Sequence, residues 1–180
     1  MALYEVLEDG TVRKVAGNSM TFTPNAISIE LSADLKIPAV NTRFTPTMTQ
    51  ALKIGDKLNF TNNEIVIGSG VSYIKASAKA LYNVASGGIS YVYITKNGNN
   101  VTLGQASTNG ITEIVTPSVF IPVVEGDKIG IPFYSNKTGT LMGFAYRTYL
   151  TVEVVKWYLI KLSTMKLFIE KKPQKKQYLN

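Results

Sequence analysis

Glu125 and Asp127 flank a single glycine in VVEGDKIGIPFYS (residues 123–135) and form the best-spaced carboxylate pair in the chain for acid–base work on a glycosidic bond. Such work needs one of the two desolvated, so that its pKa rises and it carries a proton at neutral pH. In a glycine turn both acids are expected to be exposed and solvated, which argues against that role. Oxygen ligands in a loop also suit calcium, but two acids without a longer ligand series do not make an EF-hand-like site. Turn chemistry is therefore the expected role, ahead of metal binding and of catalysis.

The rest of the sequence offers catalysis little. Histidine and cysteine are absent from all 180 residues. This removes the commonest general base, the usual partner of a nucleophilic serine, thiolate metal sites and any disulfide. There is no G-x-S-x-G elbow, no P-loop and no H-E-x-x-H pattern. Ser69, in Gly68-Ser69-Gly70, has no histidine to activate it and reads as structural. No catalytic, cofactor or metal residue is assigned, and the chain is expected not to be an enzyme.

The tripeptide Gly-Asp-Lys occurs twice, in IGDKLNF (54–60) and in the segment above. The residues around the two copies do not otherwise match, so no duplication is implied. Each is expected to be a tight turn in which glycine takes a positive φ and aspartate bonds back to the local backbone. Six of the ten tyrosines (Tyr73, Tyr91, Tyr93, Tyr134, Tyr146 and Tyr149) fall within expected strands. Tyrosine joins an apolar body to a polar tip and is enriched where surfaces meet. Taken singly, each is expected in the core or at a subunit contact; stacking on a sugar ring is the alternative.

The elements that would carry these residues are strands. Asp9-Gly10, Gly55-Asp56, Gly87-Gly88, Asn97-Gly98, Asn109-Gly110 and Gly126-Asp127 punctuate a chain rich in Tyr, Thr, Val and Ile. Leu3–Leu7 and Thr11–Ala16 flank a turn and read as a hairpin. Gly17–Asn41, with Pro24 and Pro38, is either a linker or the first strand of the main domain. In 70–82, Ser72, Ile74, Ala76, Ala78, Ala80 and Tyr82 share one face, and lysines on the other mark this one as inner. Phe133 and Phe144 are expected to fill the room that the alanines leave. Asn97-Gly98 is the strongest hairpin signal, and Leu150, Val152 and Val154 alternate with Tyr149, Thr151 and Glu153. Pro122 and Pro132 belong at edges or bulges. About eight to ten strands in this pattern suit an all-β, two-sheet antiparallel jelly-roll sandwich.

The formal charge of +7 is concentrated at one end. Residues 156–180 hold seven lysines and one acid, whereas 1–155 hold 12 basic and 11 acidic residues. Tyr158, Leu162, Met165 and Ile169 recur at helical spacing, so this basic tail carries a helical pattern that Pro173 ends. A solvated tail is expected, and nucleic acid is not expected as a partner. The N-terminal MALYEVLEDG lacks the pattern of a secretory signal, and no run is long and apolar enough to span a membrane.

The ordered set TNNEIVIG (61–68), VSYIKASAKALY (71–82), ISYVYITKNGNNV (89–101), FIPVVEGDKIGIPFYS (120–135) and TYLTVEVV (148–155) resembles the complement globular head and tumour necrosis factor superfamily of jelly rolls. Glu125-Gly126-Asp127 and Gly143-Phe144 stand where that family has an acidic-Gly-Asp turn and a Gly-Phe pair. With no cysteine and no collagen-like stalk, and with the hairpin LYEVLEDGTVRKVAG (3–17) in front, the chain is most similar to the bacterial and bacteriophage versions.

The resemblance implies a homotrimer about a threefold axis that binds through its distal loops. It also implies a structural and adhesion role on a phage or prophage particle, as fibre, baseplate or head decoration. A bacterial spore- or cell-surface protein of the same fold is the alternative. Expected partners are further copies of the chain, other virion or surface proteins through the N-terminal segment, and a host-surface glycan or protein. The expected location is the virion, or alternatively the bacterial surface, after synthesis in the bacterial cytoplasm without a signal peptide. The domains expected are a hairpin and attachment segment at 1–41, the jelly roll at 42–155 and the basic tail at 156–180.

Overall fold

The computed structural model describes residues 24–155, together with the backbone of strands β1 (Tyr4–Val6) and β2 (Val12–Lys14). β1 and β2 pair antiparallel, with Val6 opposite Val12, as the hairpin pattern requires. The helical pattern of the basic tail lies outside the described residues.

Among the described residues the fold is all-β, without a helix. β3 (Ala26–Glu30), β4 (Leu35–Lys36), β5 (Thr49–Ile54), β6 (Leu58–Thr61) and β7 (Glu64–Ile67) lead into two long strands. These are β8 (Tyr73–Lys96) and β9 (Asn99–Val115), joined by the Asn97-Gly98 turn. β10 (Val119–Pro122), β11 (Lys128–Gly130), β12 (Phe133–Ser135), β13 (Thr140–Leu141) and β14 (Tyr149–Val154) complete the set. Every pairing is antiparallel.

Two sheets follow from the register of β8. Its first half, to Val84, lies beside β14, which pairs β3 and then β5; on the other side lie β10 and the end of β9. Its second half, from Gly88, lies beside the start of β9 and, on the other side, β11 and β12, with β7 and β6 beyond. The alternation read in 70–82 holds. Ile74, Ala76, Ala78, Ala80 and Tyr82 are all buried, packed in one core with Ile27, Ile29, Leu150 and Val152 of their own sheet and Ile65, Ile67, Val92, Ile94 and Ile129 of the other. The alanines let this core close around a few large side chains. Phe133 is 1% exposed and meets Tyr82 edge-on at 5.2 Å, and Phe44 meets Phe133 at 6.0 Å.

Tyr82 shows how a polar tip is tolerated there. Its hydroxyl donates to the Lys137 carbonyl at 2.6 Å and accepts from Ser135 Oγ at 3.2 Å. Burial pushes its pKa up, so it remains a neutral donor. At Gly104 the two ends of β9 approach so closely that a Cβ there would run into the Val115 carbonyl. The two prolines behave as expected: Pro122 ends β10, which pairs only with β8, and Pro132 lies in the break between β11 and β12.

Three expectations are corrected. The sheet begins before residue 42: β3 lies between β5 and β14, so Gly17–Asn41 contains the first strand of the main domain rather than only a linker. Gly87-Gly88 and Asn109-Gly110 do not end strands but lie inside β8 and β9, where the pairing slips between Val84 and Gly88 as the strands pass from one sheet to the other. Phe144 fills no core space. It is 61% exposed in a turn in which Phe144, Ala145 and Tyr146 all have positive φ, which also removes Tyr146 from a strand. Phe133→Ala is expected to cost about 3–5 kcal/mol, whereas Phe144→Ala should change stability by about 0.5 kcal/mol or less. Urea unfolding of the two variants measures this, and equal losses would contradict the packing described.

Candidate functional site

The structure separates the carboxylate pair. Glu125 is exposed, while Asp127, expected to be solvated, is only 7% exposed. Gly126, with φ 86°, turns the chain so that the Asp127 carboxylate faces back into the protein. One oxygen accepts from the Val124 N–H at 3.0 Å and sits 3.3 Å from Lys96 Nζ; the other accepts from Asn97 Nδ2 at 2.7 Å. Asn97 completes the tie, because its Oδ1 accepts from the Lys128 N–H at 2.9 Å and its own N–H donates to the Lys128 carbonyl at 2.8 Å. The backbone N–H of Val124 and the Asn97 amide hold the Asp127 pKa below the usual carboxylate range, with Lys96 adding to them. This is the opposite of what a general acid needs. Among the described residues, no three His, Cys, Asp or Glu side chains cluster as a metal site would require.

The other Gly-Asp-Lys turn works differently. Gly55 has φ 77°, but the acceptor is Asn25, whose Oδ1 takes the N–H groups of Asp56 and Lys57, both at 3.0 Å. The back-bonding expected of aspartate thus holds for Asp127, while in the first turn a residue about thirty positions away takes that part.

The tyrosines do not scatter. In the second sheet Val92, Ile94, Phe133 and Ser135 point inward, so Tyr91, Tyr93 and Tyr134 share the outer face. Tyr91 stands directly opposite Tyr134, their ring centres 5.6 Å apart, and Tyr93, two residues along the same strand, lies 6.0 Å from Tyr91. All three are half-buried. The segment before β5 brings two more side chains to them. Phe44 and Phe133 exchange backbone hydrogen bonds at 2.8 and 3.0 Å, which fixes this segment beside β12. With Phe44 packed against the core, Arg43 falls on the outer side, its guanidinium carbon 4.9 Å from the centre of the Tyr93 ring. Arg43 Nη1 donates to Asn100 Oδ1 at 2.7 Å and Nη2 to the Gly98 carbonyl at 3.4 Å. Asn41, with φ 59°, accepts from the Tyr134 hydroxyl at 3.2 Å. Burial raises the Tyr93 pKa against the opposing pull of Arg43, so this ring stays neutral at physiological pH. Arg43, Asn41 and Asn100 carry no local sequence signal, because only the fold brings them to the tyrosines.

The outer face of the first sheet has another character. Ile111, Val115 and Phe120 stand exposed along the β9–β10 edge, and Leu52 and Ile54 along the β5 edge. Between the two edges, Ser28, Thr151 and Ser77 form one row and Glu153 and Lys75 another, on strands β3, β14 and β8.

Asp127→Asn is expected to destabilise the protein by about 1.5–3 kcal/mol, since a buried ionic acceptor loses its charge-assisted bonds. The pH dependence follows from the sign of the shift. A carboxylate whose folded pKa is depressed contributes stability that is complete above its ordinary value near 3.8 and is lost as pH falls from there through the folded value. Thermal melts between pH 6 and about pH 2 should show that loss in the native chain and a smaller one in Asp127→Asn. Parallel curves would contradict this role.

No family model matches the chain, and no curated protein matches it in sequence. Solved structures do match. Murine APRIL, crystallised at pH 8.0, superposes with a TM-score of 0.58 at 9% identity, over 73% of this chain and 99% of that one. Eiger TNF from S. frugiperda superposes with a TM-score of 0.56 at 6% identity, over 75% of this chain and 95% of that one. At such identities the likeness speaks for the fold alone, and the described domain is a TNF-like jelly roll.

Proposed function

We propose that this chain is a non-enzymatic structural and adhesion protein that works as a homotrimer, as an appendage of a bacteriophage or prophage particle, and binds a ligand on a host surface. The observation that carries the assembly is the outer face of the first sheet. It exposes apolar side chains at both lateral edges, Ile111 and Val115 on one and Leu52 and Ile54 on the other, around a row of small hydroxyl residues. Contact between unlike edges of successive copies is heterologous, and such contacts close into a ring of three where each copy is rotated by a third of a turn. The TNF-like fold is consistent with this arrangement. The phage or prophage owner rests on the sequence resemblance alone, through the leading hairpin and the absence of cysteine. Tail or capsid genes beside this one would support it, and spore-coat genes would favour the bacterial-surface alternative.

Light scattering on the full chain should give a mass of about three copies. Ile111→Asp and Val115→Asp together should shift it toward the single chain without lowering the β content seen by circular dichroism. A native chain that is strictly monomeric at micromolar concentration would sink this reading.

A further inference from the structure

We infer that the outer face of the second sheet, centred on Tyr91, Tyr93, Tyr134 and Arg43, is a binding site for a saccharide that carries carboxylates. The inference rests on the adhesion reading above for the source of the ligand, and on the geometry of this face for its chemistry. Three neighbouring half-exposed rings, with centres 5.6 and 6.0 Å apart and planes tilted by 53° and 32°, form a ridged aromatic platform on the scale of linked sugar units. The C–H faces of pyranose rings stack on such surfaces, while sugar hydroxyls need hydrogen-bond donors and acceptors at the rim. Asn41 and Asn100, both exposed, supply amides there.

The charge narrows the class. Arg43 is exposed yet fixed, by the Asn100 amide, the Gly98 carbonyl and the Tyr93 ring, and these partners are all neutral. Among the described residues no carboxylate lies within ion-pair distance of it; the ion pairs there are Lys79–Glu113 and Lys96–Asp127. A guanidinium has five N–H donors in a rigid fork that matches a carboxylate, and two are engaged here. A held cation without a counter-ion among the described residues, beside ring-stacking surface, is complementary to a uronic acid or another acidic sugar. The platform lies on the sheet opposite the one proposed for self-association, so assembly leaves it accessible.

Calorimetric titration of the full chain with hexagalacturonate tests this, with maltohexaose as a neutral sugar and polyphosphate as a polyanion without sugar rings. Hexagalacturonate should bind, should shift the ring signals of Tyr91, Tyr93 and Tyr134 in NMR spectra, and should bind at least roughly tenfold tighter than maltohexaose. Arg43→Gln should weaken it by a similar factor, and Tyr91→Ser should do so as well. Should Tyr91→Ser fail to fold, Arg43→Gln, at an exposed position, and the ring signals still decide. The inference is overturned by absence of hexagalacturonate binding or by equal affinity for maltohexaose. Binding that polyphosphate displaces and Arg43→Gln leaves unchanged also overturns it, since the lysines of 156–180 would then be responsible. None of these results alters the mass in solution, so failure here is distinguishable from failure of the trimeric reading.

Discussion

Backbone pairing along Tyr73–Lys96 is the constraint on which the sandwich rests. This one strand pairs with β9, β10, β11, β12, β13 and β14, and through β14, β11 and β13 it holds the remaining strands of both sheets. A strand that serves two sheets must change direction without giving up its partners. It does so where the register slips between Val84 and Gly88, and Gly88 lies where a Cβ would run into the Lys137 side chain. Its far end needs an anchor, and Asp127 supplies one. The carboxylate ties Lys96 and the Asn97 turn to the loop before β11, while the Asp127 carbonyl accepts from Ile67 N–H at the end of β7. A buried charge is tolerated at that point because both oxygens are satisfied by donors.

Much of this was legible in the residues. The lysine-free face of 70–82, the Asn97-Gly98 hairpin, the two prolines at interruptions and the final alternation from Tyr149 all reflect a period of two or a turn chemistry, and such signals are local. What escaped was non-local. Ala26–Glu30 sits between Pro24 and Pro38 in an irregular stretch, and its place in the sheet comes from pairing with Tyr149–Glu153 at the opposite end of the chain. Asp127 reads as a solvated turn acid because, beyond the local Val124 N–H, its donors come from Lys96 and Asn97, about thirty residues earlier. Gly87-Gly88 carried the composition of a turn but serves as a bend within one strand. Phe144 obeyed the hydrophobic pattern and still faces solvent, because three successive residues of positive φ reverse the chain there.

The tyrosines show the same division. That each lies on a strand could be read for most of them, but that three share one surface depends on Phe133–Ser135 lying antiparallel to Ser90–Val92. Arg43 depends on one step more. Phe44 must pair with Phe133 and turn its ring to the core before the neighbouring residue reaches Tyr93. A slip of one residue in that pairing would carry the aromatic ring outward and the guanidinium inward, which burial of an unpaired charge forbids. The core packing around Phe133 therefore also sets the position of the exposed cation. Rigid strands hold the rings, and the Phe44–Phe133 bridge places the arginine within reach of Tyr93, Asn100 and Gly98, so the geometry of this face depends on the same contacts that stabilise the fold.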